Sequence, residues 1–88
     1  MLTEKFTIKN KMGLHMRPAN ILVNAAVKYS SDISIIADDK KIDAKSIMNI
    51  MAACIKQGSE IVVECSGDDE KAAMSEISQI IENGFGEE

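Results

Sequence analysis

The sequence predicts a two-layer α+β domain, with helices packed on one face of a mostly antiparallel sheet. Three observations predict it. Apolar residues recur at helical spacing in three segments and in alternation or short runs in four others. Those segments follow the order β-α-β-β-α-β-α, with every helix amphipathic and every strand short. The chain has 88 residues, enough for one core and too few for two, so residues 1–88 form a single domain.

Residues 2–8 alternate imperfectly, with Leu2, Phe6 and Ile8 on one face and Thr3, Lys5 and Thr7 on the other, a strand with one solvated side. A loop over 10–14 is punctuated by Gly13. Over 16–29, Ala19, Leu22, Val23, Ala26 and Val27 form an apolar stripe, and Ser30, Ser31 and Asp32 close that helix. A strand at 33–37, a turn at 38–40 and a return strand at 41–43 make a hairpin. Ser46 has the chemistry of an N-cap for a short helix over 47–55, and Gly58 ends that segment. The clearest strand is 60–66, with Ile61, Val63 and Cys65 pointing one way. Asp68 or Asp69 caps the last helix, Glu70 favours its positive end, Ala73, Met74, Ile77, Ile80 and Ile81 line its buried stripe, and Gly84 follows as a C′ residue.

Composition narrows function. The chain is 45% hydrophobic with two Phe, one Tyr and no Trp, so its core is aliphatic. Net charge is −4, with acidic clusters at Asp38-Asp39, Asp68-Asp69-Glu70 and Glu87-Glu88 and no Lys/Arg cluster. Nucleic-acid binding, which needs a basic face to displace counterions, is excluded, and a basic face on a protein partner fits better. No apolar run reaches the length of a membrane span, and Met1 opens into a strand-like segment rather than a signal peptide, so a cytoplasmic protein without membrane insertion is expected. Cys54 and Cys65 lack metal-ligand spacing and read as small buried hydrophobes. No metal or cofactor motif is present in the sequence.

Gly13-Leu14-His15-Met16-Arg17-Pro18-Ala19 holds the single histidine and the single proline. Pro is tolerated in the first turn of a helix, where its missing N–H costs no intrahelical bond. His15 therefore stands at or just before a helix N-terminus, with Arg17 inside the first turn. A neutral imidazole is a competent nucleophile near pH 7. Backbone N–H groups at a helix start and a guanidinium both stabilise a phosphoryl dianion. One constellation thus serves the acceptor and its phosphorylated product.

These seven residues resemble the active-site signature Gly-[hydrophobic]-His-x-Arg-Pro-Ala of HPr, the phosphocarrier of the phosphoenolpyruvate-dependent sugar phosphotransferase system. The resemblance spans the chain and includes a second motif, Lys45-Ser46-Ile47-Met48. It implies an open-faced sandwich, a four-stranded antiparallel sheet of order 1-4-2-3 under three helices. It also implies that His15 accepts a phosphoryl group on Nδ1 from phospho-Enzyme I and passes it to A-type Enzyme II components. Arg17 and the backbone around Met16, Arg17 and Pro18 would bind the phosphoryl oxygens. The chain would be a stoichiometric carrier rather than a turnover catalyst. A monomer is the default for a carrier that exposes its site to successive partners.

In many Gram-positive members of that family the serine matching Ser46 is phosphorylated by a dedicated HPr kinase/phosphorylase. That resemblance brings in the kinase and a transcriptional regulator as partners. Asn49 stands where Gly is frequent, and Met16 where Ala is frequent; the second difference bears on partner preference. Met16, Ile47, Met48 and Met51 form a candidate docking surface, since methionine repacks against varied partners. Met48 is expected to be exposed, whereas Met51 and Ile50 fit core packing. Two other readings stand beside the sugar carrier: a carrier of the nitrogen-related branch, some of whose members end like residues 83–88, and a purely regulatory binding module.

Overall fold

A computed structural model of the chain describes residues 1–86; the acidic pair Glu87-Glu88 lies outside the described residues. The elements are β1 (Leu2–Thr7), α1 (Met16–Ala26), β2 (Asp32–Ala37), β3 (Lys40–Asp43), α2 (Ile47–Ala52), β4 (Glu60–Ser66) and α3 (Glu70–Glu82), followed by a 3-10 turn at Gly84–Gly86. The four strands form one antiparallel sheet in the order β1-β4-β2-β3, the order that the resemblance implied.

Alternation along the central strand sets the two layers. Ile61, Val63 and Cys65 of β4 are buried, and their register partners Phe6, Ile35 and Ile33 are buried with them. The intervening row pairs Lys5 with Val62, Val62 with Ile36 and Ile36 with Lys41, and none of these four is buried. Against the inner row pack Ala19, Leu22 and Ala26 of α1, Ile50 of α2, and Ala73, Ile77 and Ile81 of α3. Small residues on α1 let the helix approach the sheet closely, as close packing of the interior requires.

Several elements end earlier than periodicity alone predicts. Helix α1 stops at Ala26, and the chain unwinds through i→i+3 bonds from Lys28 N to Ala25 O and from Tyr29 N to Ala26 O, both 3.2 Å. Val27, expected in the apolar stripe, is the C-cap residue and is exposed, although its N–H still bonds Val23 O at 3.0 Å. Helix α2 stops at Ala52 because Cys54 adopts a left-handed backbone at φ 52°. That turn carries the Cys54 side chain to the surface, so the expected burial holds for Cys65 and fails for Cys54.

Asp69 occupies the N-cap position of α3, yet its carboxylate makes no cap bond there. It accepts instead from Ser30 N at 2.9 Å, from Ser31 N at 3.0 Å and from the Ser31 hydroxyl. Gly67 makes that approach possible: at φ 154° it lies so close to Ser31 that a Cβ would fall 2.7 Å from the Ser31 Cα. The Ser31 hydroxyl and the Ser30 N–H hold the Asp69 carboxyl at about 2, against an ordinary 3.8. A carboxyl depressed in the folded state stabilises the fold above its unfolded value, and that contribution is lost as pH falls through the folded value. Asp69→Ala should therefore be less stable than the parent at pH 7, with the gap closing between about pH 4 and pH 2. Urea denaturation across that range checks it; a gap independent of pH would show that the carboxylate is not the tie.

Candidate functional site

The loop before α1 is sewn to the segment after α2. Ile8 N donates to Ser59 O at 2.9 Å, Gly58 N to Ile8 O at 2.8 Å, and Leu14 N to Ile55 O at 2.9 Å. Gly13 sits at the tightest point, with φ 64°; a Cβ there would fall 2.2 Å from the Ile55 carbonyl oxygen and 2.8 Å from the Lys56 Cα. Only glycine tolerates both the angle and the approach. Leu14 is buried beside it and anchors the chain as it enters the helix.

His15 is the N-cap residue of α1, in extended conformation at φ −77° and ψ −170°, and its carbonyl accepts from Ala19 N at 3.0 Å. Its side chain is half-buried, while Met16 and Arg17 are exposed and Pro18 is buried. The first-turn donors can then be assigned. Pro18 has no N–H and the Ala19 N–H is engaged, so the amides of Met16 and Arg17 are the ones a helix start directs outward. Pro18 serves by packing and by its fixed φ rather than as an oxygen binder. No acidic residue stands in the first turn of α1, so the positive end of the helix keeps its attraction for anions.

Local charge differs from the net charge. Lys9, Lys11, Lys56 and Arg17 all lie exposed on the stitched loops and the first turn beside His15. Glu82 lines the same cavity as Lys9 and Lys11, so both signs of charge meet at this rim and the net charge of −4 does not describe it.

Helices α1 and α2 pack side by side and run antiparallel. The end of α2 lies toward the start of α1 through the Leu14–Ile55 bond, and the start of α2 lies toward the end of α1, where the Lys45 ammonium donates to Tyr29 O at 2.7 Å. Ser46 thus caps α2 at the end remote from His15, its Oγ accepting from Asn49 N at 3.3 Å. Met48 is 78% exposed and Met16 55%, whereas Ile47 and Met51 are half-buried. Sequence reasoning passed over Met12, which is 74% exposed in the turn that Gly13 closes; its position in that turn was the available signal.

The family model described as the PTS HPr component phosphorylation site matches residues 2–83. The chain belongs to the HPr family. It is 49% identical over 72 residues to the phosphocarrier protein HPr of Mycoplasma capricolum, covering 82% of this chain and 81% of that one. It is 39% identical over 88 residues to the HPr of Treponema pallidum, covering all of both chains. The crystal structure of HPr from Thermoanaerobacter tengcongensis superposes with a TM-score of 0.96 at 45% identity, covering 100% of this chain and 99% of that one. The HPr family is a phosphocarrier family of the phosphotransferase system, and that general role is this chain's.

Gly13→Ala should destabilise the fold by about 1–3 kcal/mol through the backbone angle alone, with the overlap on Ile55 adding to it. Urea denaturation reads the cost, and the His15 ring resonances in NMR should shift with it. Unmoved His15 resonances would show that this seam does not place the histidine.

Proposed function

We propose that His15 is the phosphoryl acceptor and donor of this carrier, loaded by phospho-Enzyme I and unloaded onto A-type Enzyme II components. The observation that carries the reading is His15 at the N-cap of α1, with Arg17 and two outward-directed amides on the following turn. The Nδ1 lone pair attacks phosphorus, the bond from phosphorus to the donor atom breaks, and its electron pair returns to the donor. The Arg17 guanidinium and the Met16 and Arg17 amides stabilise the charge on the transferred group. Delivery to the next partner reverses these steps. The chain supplies the relay atom and its anion cradle, and each partner completes the site, so turnover belongs to the partners. Met16 and Met48, exposed near the start of α1 and on α2, supply adaptable apolar contact for partners of different shape.

Incubation with phosphoenolpyruvate and Enzyme I should give an acid-labile phosphoryl group located at His15 by mass spectrometry and absent from His15→Ala. Arg17→Ala should lower the transfer rate by about 10- to 100-fold, the worth of one charge-assisted contact. Failure of every cognate Enzyme I to load the chain overturns the reading.

Ser46 is proposed as a second, regulatory acceptor for an HPr kinase/phosphorylase, with control of a transcriptional regulator as its consequence. Its support is the Lys45-Ser46-Ile47-Met48 motif and the half-exposed hydroxyl at a helix cap. Phosphate at a cap carries about −1.5 to −2 charge and favours the helix start, so the fold should keep its stability. ATP and such a kinase should yield an acid-stable modification that Ser46→Ala lacks, and the substitution itself should cost about 0.5–2 kcal/mol through the lost cap. No modification with an active kinase removes the regulatory claim.

A further inference from the structure

Asn10 is 2% exposed in the loop that leads to His15, among neighbours Lys9, Lys11 and Met12 that are exposed. A buried polar side chain in an otherwise solvated loop is unusual unless it is bonded into the structure. Its side-chain amide donates to the Gly84 carbonyl at 2.9 Å, while its backbone carbonyl accepts from Gly13 N at 2.9 Å. Asn10 therefore joins the far end of the chain to the glycine two residues before His15.

What it grips is itself constrained. Gly84 opens the turn Gly84–Gly86, in which Phe85 is 3% exposed at a left-handed φ of 57°. A bulky side chain holds that angle only where its surroundings over-determine it. The turn packs against both α3 and α1. Neither Asn10 nor Phe85 has a part in the anion cradle or the methionine surface described above. Asn10 belongs to the loop that leads to His15, and Phe85 lies in the turn that its amide grips.

We infer that Asn10 and Phe85 are positioning residues for phosphoryl transfer. The C-terminal turn, filled by the Phe85 ring and held by the Asn10 amide, sets the register of the 10–14 loop. Through Gly13 and Leu14 that register fixes where the imidazole stands relative to the Met16 and Arg17 amides. The inference rests on His15 being the acceptor. It also predicts which kinetic parameter moves: the exposed docking residues are untouched, so partner encounter stays as it is while alignment of the reacting atoms is lost.

Enzyme I and phosphoenolpyruvate supply the phosphoryl group, the full-length chain is the varied substrate, and each variant is assayed where its circular dichroism matches the parent. Asn10→Ala and Phe85→Ala should each lower the saturating transfer rate by about 10- to 100-fold with the half-saturating concentration held within about twofold, the signature of a misplaced reacting group. Phe85→Leu, which refills the space, should restore the rate. The His15 ring resonances should shift in both alanine variants and return in Phe85→Leu. Should Asn10→Ala not fold, the Phe85 pair decides the matter with the 10–14 loop intact. Folded variants of lower stability that transfer at the parental rate, with His15 resonances unmoved, overturn the positioning role while leaving the carrier intact. A parent chain that accepts no phosphoryl group overturns the carrier reading and this inference with it.

Discussion

The close approach of Gly13 to the Ile55–Lys56 backbone governs the arrangement of the functional end of this protein. A missing side chain lets one loop lie directly on another, and the bond from Leu14 N to Ile55 O closes the contact. Everything at the start of α1 follows from it. The buried Leu14 enters the core, His15 takes the extended backbone of an N-cap, and the helix begins at Met16. A Cβ at position 13 would separate the loops and move the histidine away from the amides that make its position chemically useful.

The opposite end of α1 is secured by polar ties, one of which rests on the close approach of Gly67 to Ser31. The Lys28 ammonium and the Tyr29 hydroxyl both donate to Glu76 on α3, which holds that carboxyl below the usual range. Asp69 takes up Ser30 and Ser31, and Lys45 reaches the Tyr29 carbonyl. As an exposed ion pair, Lys28–Glu76 contributes at most about 1 kcal/mol. The value of these ties is geometric, since they join α1 to α3 and to the start of α2. The acceptor role proposed for His15 requires the imidazole to be placed before a partner arrives, because ordering it on binding would cost affinity.

Much of this was legible in the sequence. The strand and helix segments, the inward rows of β4 and α3, and the placement of His15 and Ser46 at helix starts follow from periodicity and cap chemistry. These act over three or four residues and leave a local trace. The misses share one cause. The apolar pattern runs on through Cys54 and predicts its burial, whereas a left-handed backbone at that residue ends the helix and turns the thiol outward. Cap chemistry offers Asp68 or Asp69 to the last helix, whereas two serines distant in sequence take the Asp69 carboxylate. Phe85 follows the last helix with no periodicity to mark it as core, yet it is buried in a turn packed beside α1 and α3.

By itself the sequence determined the candidate acceptor and its local setting: a histidine, a guanidinium two residues on, and a proline that belongs in a first helical turn. It could do so because those relations lie within one turn of backbone. Only the tertiary structure decided which donors remain to face an anion, how the charge is distributed around the site, and what holds the loop still. Those features depend on Gly13 meeting Ile55, Asn10 meeting Gly84 and the two helices running antiparallel. Contacts between residues far apart in the chain arise from packing of the whole core, and no local pattern records them.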